Sequence, residues 1–427
     1  MYYNCHRCSS WIVAITVFVC LASIQLKSQS SHLILLDDKK EKVSFPFDLV
    51  NGLIIVKAKI GGFRDVNMLL DTGAENLILF NKDIKQELNI PDGKEIVIKG
   101  ADLIQQISGQ ICRNILITLP NNRPVNRDFI ILDENFLNFN ESIGLRIDGL
   151  IGGRLFWGSV MEINYKKRTI TFYKKNSFTP PTNRGFQRIP ISLEDHKPYI
   201  TSEISLFTGS GISMKLLLDT GSSLGILLFL DKEKEFQLPE KFVEGPLGVG
   251  LGGDIIGYQA KFKSLNITNS LFFNSVVANY QVINQELDRR FINNRNGLIG
   301  NPILSRFHVI IDYVSSDLYL KPLKNYNKNL EYDKSGLVVY AAGKNLNQFV
   351  IRYVIKDTPA HKAGLQTGDI IKRIGWTPTR ILSLASVNRK LDRKEGKKVK
   401  MIIIREGKKL RKSFILEDYL SVPDFIY

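Results

Sequence analysis

The chain has 427 residues, 44% of them hydrophobic and 10% aromatic, with a formal net charge of +16 and a pI near 9.5. That length exceeds one ordinary core and predicts two or three domains, and the hydrophobic content excludes wholesale disorder. The charge favours anionic surfaces, but much of it lies in NRKLDRKEGKKVKMIIIREGKKLRK, Asn388 to Lys412, where no aromatic interleaves to stack on bases. A solvated basic face and an anionic partner are both open readings; nucleic acid is not expected.

Near the N-terminus, Arg7 precedes the apolar run WIVAITVFVCLASI from Trp11 to Ile24, and polar QLKSQSS follows. A run of about 14 residues is short of the roughly 20 that span a bilayer. Residues 1–28 therefore read as a cleaved export signal, implying a periplasmic or secreted protein, with a retained anchor as the alternative. Cys20 is a poor lipoprotein cysteine because Val19 before it is large. Cys5 and Cys8 form an isolated C-x-x-C in the segment to be removed, leaving Cys112 alone in the mature chain and excluding an intrachain disulfide. With five scattered histidines and no H-E-x-x-H, no metal or cofactor is expected. SSHLILLDDKKEKVSF then reads equally as a short pro-segment or an edge strand.

MLLDTGAENLILF at Met68 and LLLDTGSSLGILLF at Leu216 are near copies, placing Asp71 and Asp219 148 residues apart. The same offset relates DGLIGG at Asp148 to NGLIGN at Asn296, INY at Ile163 to IDY at Ile311, and Gly100 and Gly109 to Gly248 and Gly257. This is an internal repeat, and each unit reads as short strands punctuated by Gly and Asn. ENFLNFNESIG and QELDRRFINN are expected to carry a helical turn each. KKNSFTPPTNRG from Lys174 and KPLKNYNKNLEYDK from Lys321 read as linkers. The units run over 43–176 and 184–324.

A carboxylate in an apolar strand is costly unless it is neutralised, paired or hydrogen-bonded. Two units that bring their carboxylates face to face meet that cost by sharing one proton: the ionised member serves as general base to a water and the protonated one as general acid. Each motif with its later companion, LLDTGA with GLIGGRLF and LLDTGS with GLIGNPIL, resembles the aspartic proteases of the pepsin and retropepsin clan. The resemblance implies a mainly β fold with two retropepsin-like β-barrel lobes forming a bilobal aspartic protease active as a single chain on peptide or protein substrates. It makes Asp71 and Asp219 catalytic, with Thr72, Gly73, Thr220, Gly221 and Ser222 supporting them and the two threonines bracing across the lobes. Ser222, unlike its counterpart Ala74, is expected to bond the carboxylate and lower its pKa, for a pH optimum between strongly acid and neutral. GVGLGGDIIGY resembles the clan's substrate-covering hairpin, with Gly252 and Gly253 at its tip and Gly250, Gly252 and Gly253 as its substrate-binding residues. Its first-lobe counterpart carries Ile104 and Gln105 and is expected to be stiffer.

From Asp333 the pattern changes. DTPAHKAGLQTGDIIKRI and the flanking strands resemble a PDZ domain of the bacterial type, an α+β module over 333–420. Pro359 and Ala360 open a short helix, LSLASVNRKL forms a second, and KVKMIIIRE and KLRKSFILED close the sheet. The resemblance implies a groove for a C-terminal peptide, its carboxylate held by the turn Ser335, Gly336, Leu337, where the usual Gly-Leu-Gly-Phe is reduced to SGLV. A peptide-binding scaffold with inactive lobes is the competing function. No nucleophile turn of the G-N-S-G-G kind supports a serine protease.

Overall fold

The computed structural model describes residues 40–134, 137–181, 185–207, 211–231, 238–283, 292–324 and 326–421. The expected export signal, 1–28, and residues 285–291 of the segment expected to form a helical turn lie outside them. The chain is mainly β, and its two repeats build sheets of identical strand order.

In the first repeat, Asp48–Val50, Leu53–Ile60, Arg64–Leu70, Gly149–Ile151, Leu77–Leu79, Val125–Leu132, Gln106–Thr118 and Lys94–Lys99 are successive neighbours. Pairing of Leu53–Ile60 with Gln106–Thr118 closes this sheet into a barrel. In the second, the order is Ser192–Glu194, Lys197–Ser205, Gly211–Asp219, Gly297–Gly300, Ile226–Asp231, Leu271–Ile283, Gly253–Thr268 and Phe242–Gly250, closed by Lys197–Ser205 against Gly253–Thr268. Aliphatic runs such as Leu53–Val56 and Leu216–Leu218 are buried on both faces, the pattern of strands whose sheet is covered on either side.

The repeats are not joined by a linker alone. A third sheet takes Lys42–Pro46, Thr169–Tyr173 and Val160–Asn164 from the first repeat and Phe307–Asp312, Asp317–Pro322 and Gln187–Pro190 from the second. At its centre Val160–Asn164 pairs antiparallel with Phe307–Asp312, and Glu162 lies opposite Ile310, its own repeat equivalent. The pseudo-twofold axis therefore passes between these two residues. Beneath this sheet one core cluster, including Phe156, Phe172, Phe307 and Tyr313, continues from one lobe into the other.

The C-terminal module has its own core, with Leu337, Phe349, Ile351, Val387 and Ile403 at its centre. Its sheet runs Leu337–Ala342, Gln348–Val354, Ile370–Ile374, Lys398–Arg405, Lys408–Ile415, with helices Pro359–Lys362 and Leu384–Leu391. The longer helix starts where the Ser383 side chain accepts the Ser386 N–H. Leu337–Ala342 is the sheet's edge strand, and helix Leu137–Ile143 of the first lobe packs on it. That helix forms within the segment where a helical turn is expected.

No helix among the described residues is long and apolar enough to cross a membrane. Because the lobes share a sheet and a core, truncating Ile163, which is fully buried at their junction, is expected to cost about 2–5 kcal/mol. Denaturant unfolding of Ile163→Ala should show both lobes destabilised in one transition.

Candidate active site

Asp71 and Asp219 stand where buried strands end at the junction of the lobes. Asp71 follows Arg64–Leu70, whose last residues Met68, Leu69 and Leu70 are buried, and donates its backbone N–H to the Ile151 carbonyl at 3.0 Å. Asp219 ends Gly211–Asp219 and pairs in parallel with Gly300. The two D-T-G turns are thus pinned by equivalent neighbouring strands.

Between the turns runs a closed set of four hydrogen bonds. The Thr72 hydroxyl donates to the Leu218 carbonyl at 2.6 Å and accepts the Thr220 N–H at 3.0 Å. The Thr220 hydroxyl donates to the Leu70 carbonyl at 2.8 Å and accepts the Thr72 N–H at 3.1 Å. Both threonines are 0% exposed. A buried hydroxyl that lost such partners would leave a carbonyl and an N–H of the other lobe unsatisfied.

The glycines bring the carboxylates together. A Cβ on Gly73 would lie 2.7 Å from the Asp219 Cγ, and one on Gly221 would lie 2.4 Å from the Asp71 Cγ. Each carboxylate therefore rests against the glycine backbone of the opposite turn, where a side chain has no room. Asp71 Oδ1 accepts the N–H groups of Gly73 (2.8 Å) and Ala74 (3.0 Å), and Asp219 Oδ1 that of Gly221 (2.8 Å).

Burial raises Asp71 well above the usual carboxylate range; the Asp219 charge and the bond to that side chain add to it, against the pull of the Gly73 and Ala74 N–H groups. Burial also raises Asp219, but Arg295, the Gly221 N–H, the bond from Asp71 and the Ser222 N–H hold it back. Both carboxyls are thus raised, Asp71 with its partner's charge added to burial and Asp219 with Arg295 pulling the other way. The Ser222 backbone N–H serves Asp219, while its hydroxyl accepts the Leu224 N–H at 3.2 Å. The hydroxyl closes its own turn because that donor lies two residues on, a local bond favoured for serine.

Several residues around the pair escape motif reasoning. Asn301, fully buried, donates to the Thr220 carbonyl at 2.5 Å and accepts the Tyr165 hydroxyl at 2.6 Å, so a first-lobe tyrosine steadies the second-lobe turn. The signal was present in GLIGN against GLIGG, where Asn301 replaces Gly153. Beside the first turn, Arg154 holds Glu75 at 2.6 Å and 3.0 Å, and His196 of the second lobe stands 3.6 Å away. Burial opposes ionisation of Glu75, but His196 and Arg154 outweigh it and bring its pKa to about 2.

The two Gly-flanked hairpins also meet across the lobe boundary. Gly250 pairs with Gly253 around the two-residue tip Leu251-Gly252, where Gly252 has φ +110°. Ala101 of the first hairpin donates its N–H to the Leu251 carbonyl at 2.7 Å, and Gln281 donates to the Ala101 and Asp102 carbonyls. Leu251 packs into the first lobe's outer cluster, and its repeat equivalent Leu103 packs into the second lobe's. The two hairpins thus exchange leucines reciprocally. The first-lobe turn is stiffened by Asp102, which accepts the N–H groups of Ile104 and Gln105 at 3.2 Å.

In the C-terminal module, the Ser335, Gly336 and Leu337 N–H groups converge as expected, but on the chain's own Asp333 carboxylate, at 3.1, 2.6 and 3.2 Å; the Ser335 hydroxyl donates to it as well, at 2.6 Å. The turn expected to receive a terminal carboxylate is filled from within. Gly144, ending helix Leu137–Ile143, abuts Leu384 at the start of the module's second helix, so that lobe element touches both walls of the cleft between edge strand and helix. No cluster of His, Cys, Asp and Glu among the described residues has the arrangement of a metal site.

A PDZ domain family model matches residues 350–405, inside the module whose sheet spans Leu337–Ile415. The chain thus contains a PDZ domain, a class of module that docks peptides. No curated protein matches the chain.

Two outcomes follow from the geometry. Thr72→Val keeps the shape but strips partners from Leu218 and Thr220, and should cost about 1–3 kcal/mol in denaturant unfolding, with Thr72→Ser close to the parent. Because the Asp71 pKa is raised in the fold, the stability its neutral form contributes is fully present below the ordinary carboxylate range and is lost as pH rises through the folded value. Thermal melts should show the parent losing stability between acid and neutral pH, and Asp71→Asn flattening that loss.

Proposed function

We propose that the chain is an aspartic endopeptidase whose retropepsin-like lobes hydrolyse a peptide bond with a water held between Asp71 and Asp219. The observation that carries this is the mutual seating of the carboxylates, each against the glycine of the opposite turn. Capped turn aspartates with no chemistry to perform have no reason to be buried face to face, where desolvation raises the cost of ionising both.

In this reading Asp219, kept ionised by Arg295 and the surrounding N–H groups, takes a proton from the water as its oxygen attacks the substrate carbonyl carbon. Asp71 gives its proton to the carbonyl oxygen. The tetrahedral intermediate collapses as Asp219 passes the water's proton to the departing amide nitrogen and Asp71 takes its proton back from a gem-diol hydroxyl, and the C–N bond breaks. Thr72, Thr220, Gly73, Gly221 and Ser222 keep the pair in register. The joined hairpins carrying Gly250, Gly252 and Gly253 cover the substrate, opening to admit it. We assign the protein's work to an exported state, after removal of residues 1–28.

The competing function is a peptide-binding scaffold using the PDZ groove; the Asp333 carboxylate, bonded to the Gly336 and Leu337 N–H groups, bears against capture of a free C-terminus there. Cleavage of a peptide library, sensitive to pepstatin, tests class and activity together. Asp71→Asn and Asp219→Asn should each lower kcat/KM by roughly a thousandfold while the fold is retained; undiminished cleavage would end the assignment. The pH profile should be bell-shaped, falling in acid as Asp219 protonates and toward alkali as Asp71 loses its proton. Since both values are raised, the window lies above the ordinary carboxylate range. A rate climbing steadily into strong acid contradicts that window.

A further inference from the structure

We propose that Asp254 is a positioning residue through which the PDZ module holds the second-lobe hairpin over the dyad. This rests on the protease reading for what the hairpin covers, but the hold itself is a contact between named residues. Asp254 lies on the hairpin arm directly after the tip, opposite Val249. Its Oδ1 accepts the Tyr340 hydroxyl at 3.0 Å and its Oδ2 the Arg352 guanidinium at 3.3 Å, both from the module.

The contact continues down the hairpin. In the other arm, a Cβ on Gly245 would lie 3.3 Å from the Ile355 side chain and 3.6 Å from that of Tyr353. At the root, Lys261 pairs with Asp418, and Lys241 donates to the Ser421 carbonyl. The module therefore lies along one hairpin from near its tip to its base. The first-lobe hairpin is built differently at the same points: the repeat equivalents of Asp254 and Lys261 are Gln106 and Arg113, both exposed. The strand that supplies Tyr340 is the module's edge strand, the place where such a module takes a peptide.

Tyr340 is 7% exposed, whereas the Arg352 side chain is 53% exposed. A charge-assisted bond shielded from water is the stronger of the two, and the solvated ion pair contributes little. The Tyr340–Asp254 bond is accordingly the main tie. A hairpin with a glycine tip that must open and close is poised by such a tie: losing it lowers the share of molecules whose cover is already in place for substrate. That is a loss of binding rather than of chemistry, so KM should rise roughly five- to tenfold with kcat little changed.

The test uses the full chain. Tyr340→Phe removes one hydroxyl and keeps the ring; Asp254→Asn removes the charge from the other side and stands in if the first variant does not fold. Amide hydrogen exchange across residues 247–258 is measured without substrate, and KM and kcat with a fluorogenic peptide. Faster exchange confined to the hairpin, with raised KM and parental kcat, is the expected result. Unchanged exchange, or faster exchange with parental KM in a cleaving protein, overturns the proposal. A parent that cleaves nothing defeats the protease reading instead, while faster exchange in the variants still establishes the hold.

Discussion

The hydrogen bonds exchanged by Thr72 and Thr220 are the constraint from which the site follows. Each hydroxyl serves as donor to one strand end and acceptor from one turn of the opposite lobe, so neither lobe satisfies its own turn. Shift one lobe and two buried carbonyls and two buried N–H groups lose partners together. Burial of an unpaired polar group is expensive enough for these bonds to set lobe geometry as firmly as the hydrophobic core does. The positions of Asp71 and Asp219 follow from that geometry, one residue before each threonine.

On this floor the two lobes are alike, and above it they diverge. Asn301 and Tyr165 brace only the second turn, and Glu75, Arg154 and His196 only the first. Arg295 faces Asp219 without an equivalent at Asp71. A perfectly symmetric pair would give its two carboxyls one environment; these one-sided neighbours make the two environments different.

What the sequence disclosed was whatever depends on residues close together in the chain or on the repeat itself. The doubled D-T-G, its companions 148 residues apart, the hairpin tip at Gly252 and the helices and closing strands of the PDZ domain are local patterns. The interlobe sheet was not visible, because nothing in KRTITFYKK marks it as one half of a sheet whose other half follows more than a hundred residues later. The Ser222 hydroxyl's acceptance of the Leu224 N–H is a local bond that comparing the repeats did not bring out. Asp333 went unnoticed because a carboxylate two residues before a Ser-Gly-Leu turn becomes a cap only once that turn folds back on it.

The pairing of Glu162 with Ile310 on the pseudo-twofold axis reaches beyond this molecule. In an assembly of two identical lobes, any residue on the axis faces its own copy, and two Glu162 carboxylates would repel at the centre of the shared sheet. Here the partner is an isoleucine, and Glu162 instead bonds His308 at 2.6 Å and Tyr173, with its pKa lowered first by His308. Placing both lobes on one polypeptide releases the axis from the demand that every residue tolerate itself.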